Sequence, residues 1–189
     1  MSQVNTKQGA SISYNWLTSI PAADKPAIAE LILKVSATDP IVGFSEHVTG
    51  EEIDQYLNKL QENVEAGRSF LMVGKTADNK VICMVILVQN GSPNNCHIAD
   101  MSKGMISHDY RGAGVLVQAF GSIVKKCKEH HIELLTLDVR DGTPAREIWL
   151  KCGFENYGML DDYARIDGKI IAGHYMKQTV SDLATRLKL

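Results

Sequence analysis

Ser107-His108-Asp109-Tyr110-Arg111-Gly112-Ala113-Gly114-Val115-Leu116 places two glycines between a predicted strand and a predicted helix. Before this stretch, residues 98–106 have the composition of an extended segment. After it, apolar residues recur at helical spacing, at Leu116, Phe120, Ile123, Val124 and Cys127. The pattern predicts a helix that begins near Gly114.

A glycine-rich junction of this kind is suited to bind an anion such as a phosphate. The backbone N–H groups at a helix start have no helical partner, and the helix dipole is positive there. Glycine lets the anion approach the backbone, since a side chain would hold it away. Arg111 adds a guanidinium suited to phosphate oxygens. Taken alone, the fragment also fits a surface turn that needs flexible residues.

Length and composition are those of an ordinary globular protein. The chain has 189 residues, of which 44% are hydrophobic and 22% charged, so we expect one domain with a full core. The net charge of −2 provides no basic field toward nucleic acid or anionic membrane. Neither is therefore expected as a partner.

The cysteines and histidines do not form a metal-binding pattern. The four cysteines lie mostly in apolar patterns without a C-x-x-C pair, so we interpret Cys83, Cys96, Cys127 and Cys152 as reduced thiols used as small hydrophobes. His130 and His131 are adjacent and cannot easily turn both rings to one ion, so no metal is expected. The polar N-terminus lacks a signal-peptide core, and the longest apolar run, residues 81–88, is too short to span a bilayer. A soluble, cytoplasmic protein is the expectation.

The hydrophobic periodicity predicts one mixed α/β sheet with helices on both faces, in the order β-α-α-β-β-β-α-β-α-β-β. A flexible tail (1–9) precedes a single domain over 10–189. The predicted strands are 11–17, 70–76, 81–88, 96–106, 134–139, 154–160 and 170–178, with residues 180–189 a short helix or frayed tail. Because a helix separates them, strands 96–106 and 134–139 are predicted to be parallel.

Local signals place the two helices that follow the first strand. Asp24 with Pro26 predicts one helix start, and Asp39-Pro40 predicts its end. Thr49 and Glu52 match a capping box, which predicts a second helix ending at Gly67. Between them, residues 41–48 are predicted as a loop with an exposed-looking Phe44, which either walls a pocket or packs on the core.

This order of elements, with its glycine loop, resembles the GNAT superfamily of acetyl-CoA-dependent N-acetyltransferases. The central family signature is similar to Ala99-Asp100-Met101, then residues 106–110, then Arg111-Gly112-Ala113-Gly114-Val115-Leu116. A second signature is similar to residues 142–154, which end in Cys152-Gly153-Phe154. The likeness spans nearly the whole chain and is strongest over 97–178. Within the superfamily, it looks closest to acetyltransferases like the tabtoxin-resistance protein.

The resemblance implies a coenzyme site and a catalytic base. Main-chain groups of Gly104, Met105 and Ile106 would bind the pantetheine arm of acetyl-CoA, the cosubstrate. The phosphates would lie on Arg111, Gly112, Ala113, Gly114, Val115 and Leu116. Asp100 would deprotonate the amine, directly or through water, and a backbone N–H near Met105 would stabilise the oxyanion. A base at this position needs a pKa raised by burial; otherwise Asp100 is a strand-edge residue paired with Lys103 or a backbone N–H.

Three positions depart from the family pattern. Leu116 replaces a small residue in the loop, and His108 stands where relatives often have proline. Trp149 stands where relatives commonly have a tyrosine, which usually protonates the leaving thiolate. An indole is far too weak an acid for that role. Tyr157, Tyr163, Tyr175 or water would take it over, or Trp149 simply packs in the core.

The sequence therefore predicts an N-acetyltransferase that moves an acetyl group from acetyl-CoA to a primary amine of a small molecule, by direct attack on the thioester. One alternative is a catalytically weak acyl-CoA-binding module, and another is transfer to a protein N-terminus or lysine. The acceptor groove would be walled by residues 36–50 and 155–170. Their acidic residues Glu46, Asp161 and Asp162 either attract a cationic amine or are solvated surface.

Overall fold

A computed structural model of the chain describes the backbone of residues 3–5, and residues 11–38, 44 and 47–189. It divides into two compact units. Unit 1 contains Met1–Val88 and Lys103–Ser122, and unit 2 contains Gln89–Ser102 and Ile123–Leu189. Two strands and one helix have residues in both units, and a single domain over 10–189 stays a prediction.

The described residues form eight strands and five helices, and they confirm the predicted order with one added strand. The strands are β1 (Gln3–Asn5), β2 (Ser11–Leu17), β3 (Phe70–Thr76), β4 (Val81–Gln89), β5 (Ile98–Ile106), β6 (Leu134–Arg140), β7 (Glu155–Ile166) and β8 (Lys169–Thr179). The helices are α1 (Lys25–Ser36), α2 (Gly50–Glu65), α3 (Val115–Glu129), α4 (Pro144–Lys151) and α5 (Val180–Leu187). None of these helices is long and apolar enough to cross a membrane.

The strands form a mixed sheet in the order β1-β2-β3-β4-β5-β6-β8-β7, so the predicted fold class is confirmed. In unit 1, β1, β2, β3 and β4 pair antiparallel in sequence. In unit 2, β5 pairs with β6 in parallel over Ile98–Asp100, as predicted. β8 then lies antiparallel between β6 and β7.

Unit 1 carries helices on both faces of its sheet. Leu71 and Val73 of β3 pack with the apolar sides of α1 and α2 in one buried cluster. The alternate residues of β3 face the other way, as do their partners Tyr14 and Trp16 on β2. Both of these side chains donate hydrogen bonds to the first half of α3: the Tyr14 hydroxyl to the Val115 carbonyl (3.3 Å) and Trp16 Nε1 to Ser122 Oγ (3.0 Å).

The N-terminal tail differs from the prediction. Its residues Gln3–Asn5 are a strand that pairs antiparallel with Ser11–Ser13 of β2. Three residues are too few to show an alternating pattern, and the pairing depends on the free edge of β2 rather than on local propensity. The rest of the predicted tail lies outside the described residues.

The region between α1 and α2 decides between the two alternatives for Phe44, in favour of packing on the core. Phe44 is buried, with 6% of its surface exposed, and its ring packs edge-on against Tyr56 at 5.0 Å. It thus joins the core instead of standing in solvent, because α2 supplies an aromatic partner. The predicted stop at Asp39-Pro40 and most of the predicted 41–48 loop lie outside the described residues.

The two helix starts are held in different ways. The capping box of α2 is confirmed, since Thr49 Oγ1 accepts from the Glu52 N–H and the Glu52 carboxylate accepts from the Thr49 N–H. Asp24 precedes α1 but makes no side-chain cap. Its carboxylate instead accepts two bonds from Lys75 Nζ, at 2.6 and 2.7 Å, which tie the start of α1 to β3.

The cysteines are free, and three of them fit the expectation. Cys83, Cys127 and Cys152 are buried among apolar residues. Cys96 is exposed and its thiol donates to the Pro93 carbonyl (3.4 Å). It lies in the turn before β5 rather than in an apolar pattern, so it does not serve as a small hydrophobe.

Candidate active site

The glycine loop begins where β5 ends, and main-chain hydrogen bonds fix its first residues. The Ser107 N–H donates to the Ile82 carbonyl of β4 (2.8 Å). A single 3₁₀ turn, His108–Tyr110, follows, with the Tyr110 N–H bonded to the Ser107 carbonyl (3.0 Å). His108 Nε2 lies 2.8 Å from the Thr38 hydroxyl just after α1. These contacts attach the start of the turn to β4 and to Thr38.

Gly112 and Gly114 both adopt the left-handed backbone conformation, with φ of +73° and +83°. A side chain at either position would be strained, which explains glycine on conformational grounds. A Cβ at Gly112 would meet no atom within 4 Å, and one at Gly114 would meet only the Gln118 amide at 3.9 Å. The space above the loop is therefore open to a ligand.

α3 begins at Val115, as the sequence predicts within one residue. The N–H groups of its first turn, from Val115 to Val117, have no helical carbonyl before them, and they carry the positive end of the dipole. Buried Ala113 and Val115 anchor this turn in the core. Leu116 is half-buried. Together the open loop and the anchored helix start can bind a phosphate.

Arg111 is exposed at the loop, but part of its guanidinium is already engaged. Its Nε donates to the Ile106 carbonyl (3.2 Å), so the side chain folds back over the end of β5. This bond fixes the stem of Arg111 beside the glycines. The phosphate role predicted for its guanidinium stays a prediction.

The last residues of β5 include a backbone irregularity. Lys103 has φ of +52°, which is uncommon for a non-glycine residue within a strand. Its ammonium lies over the Phe44 ring, 4.7 Å from the centroid. After it, Gly104 is exposed, Met105 is buried in the α1–α2 cluster and Ile106 is half-buried.

Asp100 lies on the part of β5 that pairs with β6, and it is half-buried. The Thr136 hydroxyl donates to its Oδ1 (3.1 Å). Burial raises the pKa of Asp100, the nearby Asp138 carboxylate raises it further, and the Thr136 bond opposes both. The predicted alternative partner was a backbone N–H or Lys103, whereas the observed one is the hydroxyl of the neighbouring strand.

Sequence reasoning missed the residues beside Asp100 on β6. Thr136 and Asp138 alternate with buried apolar residues, so their side chains lie on the same face as Asp100. The Tyr163 hydroxyl donates to Asp138 Oδ2. The polar–apolar alternation of residues 134–140 is the signal that was available, but it does not identify which polar residues meet Asp100.

No protein-family model matches the sequence. An acetyltransferase of the GNAT family from Streptococcus pneumoniae is similar in structure, with a TM-score of 0.69 and 18% identity, covering 89% of this chain and 99% of that one. Mycobacterium smegmatis RimJ, solved in complex with CoA-disulfide, has a TM-score of 0.74 and 16% identity, covering 99% of this chain and 92% of that one. The chain has the GNAT fold.

A third similar structure is a chimera of the spermidine N-acetyltransferase SpeG from Vibrio cholerae with hSSAT. It has a TM-score of 0.72 and 16% identity, covering 91% of this chain and 97% of that one. Acetyltransferases that share the GNAT fold thus include one named for a small amine. At these identities the likeness establishes the fold, and the closer resemblance to tabtoxin-resistance proteins stays a prediction.

The tyrosines named as alternative proton donors meet in unit 2. The Tyr175 ring lies 6.3 Å from both the Tyr157 and the Tyr163 ring centroids. Burial, Asp100 and Tyr175 together raise the pKa of Tyr157, although 55% of that residue is exposed. Trp149 packs edge-on against Phe154 at 5.6 Å and is half-buried, and its place at the family's tyrosine position stays a prediction.

The acidic residues of the predicted acceptor groove are only partly described. Asp161 and Asp162 are exposed, and Asp162 forms an ion pair with Arg165 three residues along β7. This pairing fits the solvated-surface alternative for Asp162. Glu46 lies outside the described residues. Within the described part of the chain, no three His, Cys, Asp or Glu side chains are grouped to hold a metal ion.

Proposed function

We propose that this protein is an acetyl-CoA-dependent N-acetyltransferase that acts on a primary amine of a small molecule. One observation carries the proposal: two glycines in the left-handed conformation open the first turn of α3 to an anion, directly after β5. The GNAT fold, and the acetyltransferases that share it, support the same reaction class.

The glycine loop fits the diphosphate of coenzyme A. The N–H groups of residues 112–117 would donate to its oxygens, and the guanidinium of Arg111, whose Nε is bonded to the Ile106 carbonyl, would lie at the rim. The coenzyme supplies the acetyl thioester. Main-chain groups of Gly104, Met105 and Ile106 would bind its pantetheine arm, with the buried Met105 side chain anchoring that segment.

Asp100 is our proposed general base. The acceptor nitrogen attacks the thioester carbonyl, the carbon–sulfur bond breaks, and the ammonium proton passes to the Asp100 carboxylate, directly or through water. A raised pKa makes this carboxylate a stronger base than an ordinary aspartate. The Thr136 hydroxyl holds its orientation.

The departing thiolate also needs a proton, and we propose that water or Tyr175 supplies it. The Tyr163 hydroxyl donates to Asp138, and a raised pKa makes Tyr157 a weaker acid than an ordinary tyrosine. Trp149 cannot protonate a thiolate. The same tryptophan, together with Leu116 in the loop, favours the second candidate: an acyl-CoA-binding module with little turnover.

Two measurements separate these candidates. Calorimetry with coenzyme A tests binding, and release of free thiol from acetyl-CoA in the presence of a panel of amines and peptides tests transfer. The proposed function predicts binding and amine-dependent thiol release, with small amines preferred over peptides. Binding without release would support the binding module, and the absence of both would reject each candidate.

A further inference from the structure

A polar surface in unit 2 extends beyond the proposed base. Thr136, Asp138 and Arg140 alternate with buried apolar residues on β6, and the pairing of β6 with β8 is regular over this length. Their side chains therefore project on one face, which also carries Asp100. We refer to Asp100, Thr136, Asp138 and Arg140 as the acceptor face.

Arg140 is the unexplained member of this face. Only 7% of it is exposed, and its Nε and Nη1 are buried without a hydrogen-bond partner. Burial lowers the pKa of Arg140. Leaving donors of a charged group unpaired in the interior is costly, and such groups in folded proteins usually have a structural or functional reason.

The surroundings of Arg140 connect it to the carboxylates. Gly173 of β8 lies directly opposite Arg140 in the sheet. A Cβ on Gly173 would be 2.1 Å from the Tyr163 ring, so that ring occupies the space of the missing side chain, beside Arg140. The Tyr163 hydroxyl reaches Asp138. Tyr163 thus extends from the Arg140–Gly173 pair to Asp138 along the acceptor face.

We propose that Arg140 binds an acidic group of the acceptor, so that the substrate class is amines that also carry a carboxylate. The inference rests on the proposed function. A carboxylate matches the fork of guanidinium donors, and it would bring a negative charge to an arginine whose Nε and Nη1 have no hydrogen-bond partner. The amine end would lie at the Asp100 and Asp138 carboxylates, which attract a cation.

The spacing on β6 constrains the acceptor further. Thr136, the partner of Asp100, and Arg140 are four residues apart, about 13 Å between Cα atoms at the usual strand rise. The long arginine side chain shortens this separation but does not remove it. The amine and the acid should therefore be several bonds apart, as in 5-aminopentanoate, rather than adjacent, as in glycine.

The test compares each acid with its neutral amide. For the wild-type protein with acetyl-CoA, we expect kcat/KM for 5-aminopentanoate to exceed that for 5-aminopentanamide at least tenfold, with a smaller preference between glycine and glycinamide. In Arg140→Gln the ratio of kcat/KM for 5-aminopentanoate to that for 5-aminopentanamide should fall to near one. Arg140→Lys should retain part of this preference. Pentanoate, which has no amine, should compete with the acceptor in the wild type and much less in Arg140→Gln.

The outcomes distinguish the two levels of the proposal. If no amine of any kind is acetylated, the proposed function fails. If the wild type acetylates the amides with the same kcat/KM as their acids, the assignment of Arg140 is overturned while the proposed function stands. This comparison needs no variant, so it decides the question even if Arg140→Gln does not fold. An unchanged preference in a folded Arg140→Gln would also overturn it.

Discussion

The surroundings of Asp100 shift the pKa of its carboxyl group in opposite directions. Burial and the Asp138 charge raise its pKa, and the Thr136 hydroxyl bond lowers it. Since folding favours the protonated form of such a group, its contribution to stability is greatest at low pH and is lost as the pH rises through the folded pKa. A carboxylate kept in this position at neutral pH is more simply explained by chemistry than by stability.

Replacing Asp100 by Asn should separate activity from folding. We expect turnover to fall by about a hundredfold or more, because general bases contribute on that order. The melting temperature at neutral pH should stay the same or rise, since the neutral amide avoids burial of a charge and its oxygen can still accept from Thr136. Thermal unfolding and steady-state kinetics test both expectations. Full activity in the folded variant would exclude Asp100 as the base.

Replacing the two neighbours of Asp100 should shift its pKa in opposite directions. Asp138→Asn removes a negative charge, so the acidic limb of the pH profile of kcat/KM should shift to lower pH. Thr136→Val removes the hydrogen bond to the carboxylate, so the same limb should shift to higher pH. Each variant is the control for the other. Shifts in the same direction, or none, would show that another group controls the profile.

Sequence reasoning singled out Asp100, whose role as the base stays a prediction, but not the residues around it. Asp100 was found by its place before the glycine loop. Its neighbours meet through pairings that the sequence does not encode locally: Tyr163 reaches Asp138 across 25 positions, through the β6–β8–β7 order. Arg140 gives no local sign of being buried, because a lone arginine at a strand end is usually exposed.

The start of α3 depends on its attachment to β2. The Tyr14 hydroxyl lies 3.3 Å from the Val115 carbonyl oxygen and 3.1 Å from Gln118 Oε1, two acceptors that share its one proton. Burial raises the pKa of Tyr14, so the hydroxyl stays protonated. We expect Tyr14→Phe to lower the free energy of unfolding by about 1 kcal/mol and to weaken coenzyme A binding, because the first turn of the helix loses its support.

Ser122→Ala is the matched control for Tyr14→Phe. It removes the bond that Ser122 makes with Trp16, farther along the same helix. The free energy of unfolding of Ser122→Ala should fall without a change in its coenzyme affinity. Urea unfolding and calorimetry measure the two quantities. Equal affinity losses in both variants would show that the helix responds as a whole rather than at its first turn.

Elements with strong local signals were predicted, whereas the contacts between distant residues were not. The capping box placed α2 correctly because both its bonds lie within four residues. β1 exists through its pairing with β2, and Asp24 is held by Lys75 from β3, 51 positions away. Such contacts appear only once the strands are arranged.

The order of elements across the molecule was predictable because each helix and strand has its own periodicity. The placement of β8 between β6 and β7 was not, since a hairpin alone does not determine which of its strands meets β6. Nor did the sequence indicate two compact units that share β4, β5 and α3. Of these, β5 and α3 adjoin the glycine loop, which was recognised from the sequence alone.

Calorimetric titration of coenzyme A into Gly112→Leu tests the account most directly. Gly67→Leu is its control, because Gly67 has a similar φ of +67° and equally open surroundings at the end of α2. We expect the same backbone strain in both variants. Coenzyme affinity should be retained in Gly67→Leu and lost in Gly112→Leu. Wild-type affinity in a folded Gly112→Leu would contradict the proposal that this loop binds the coenzyme.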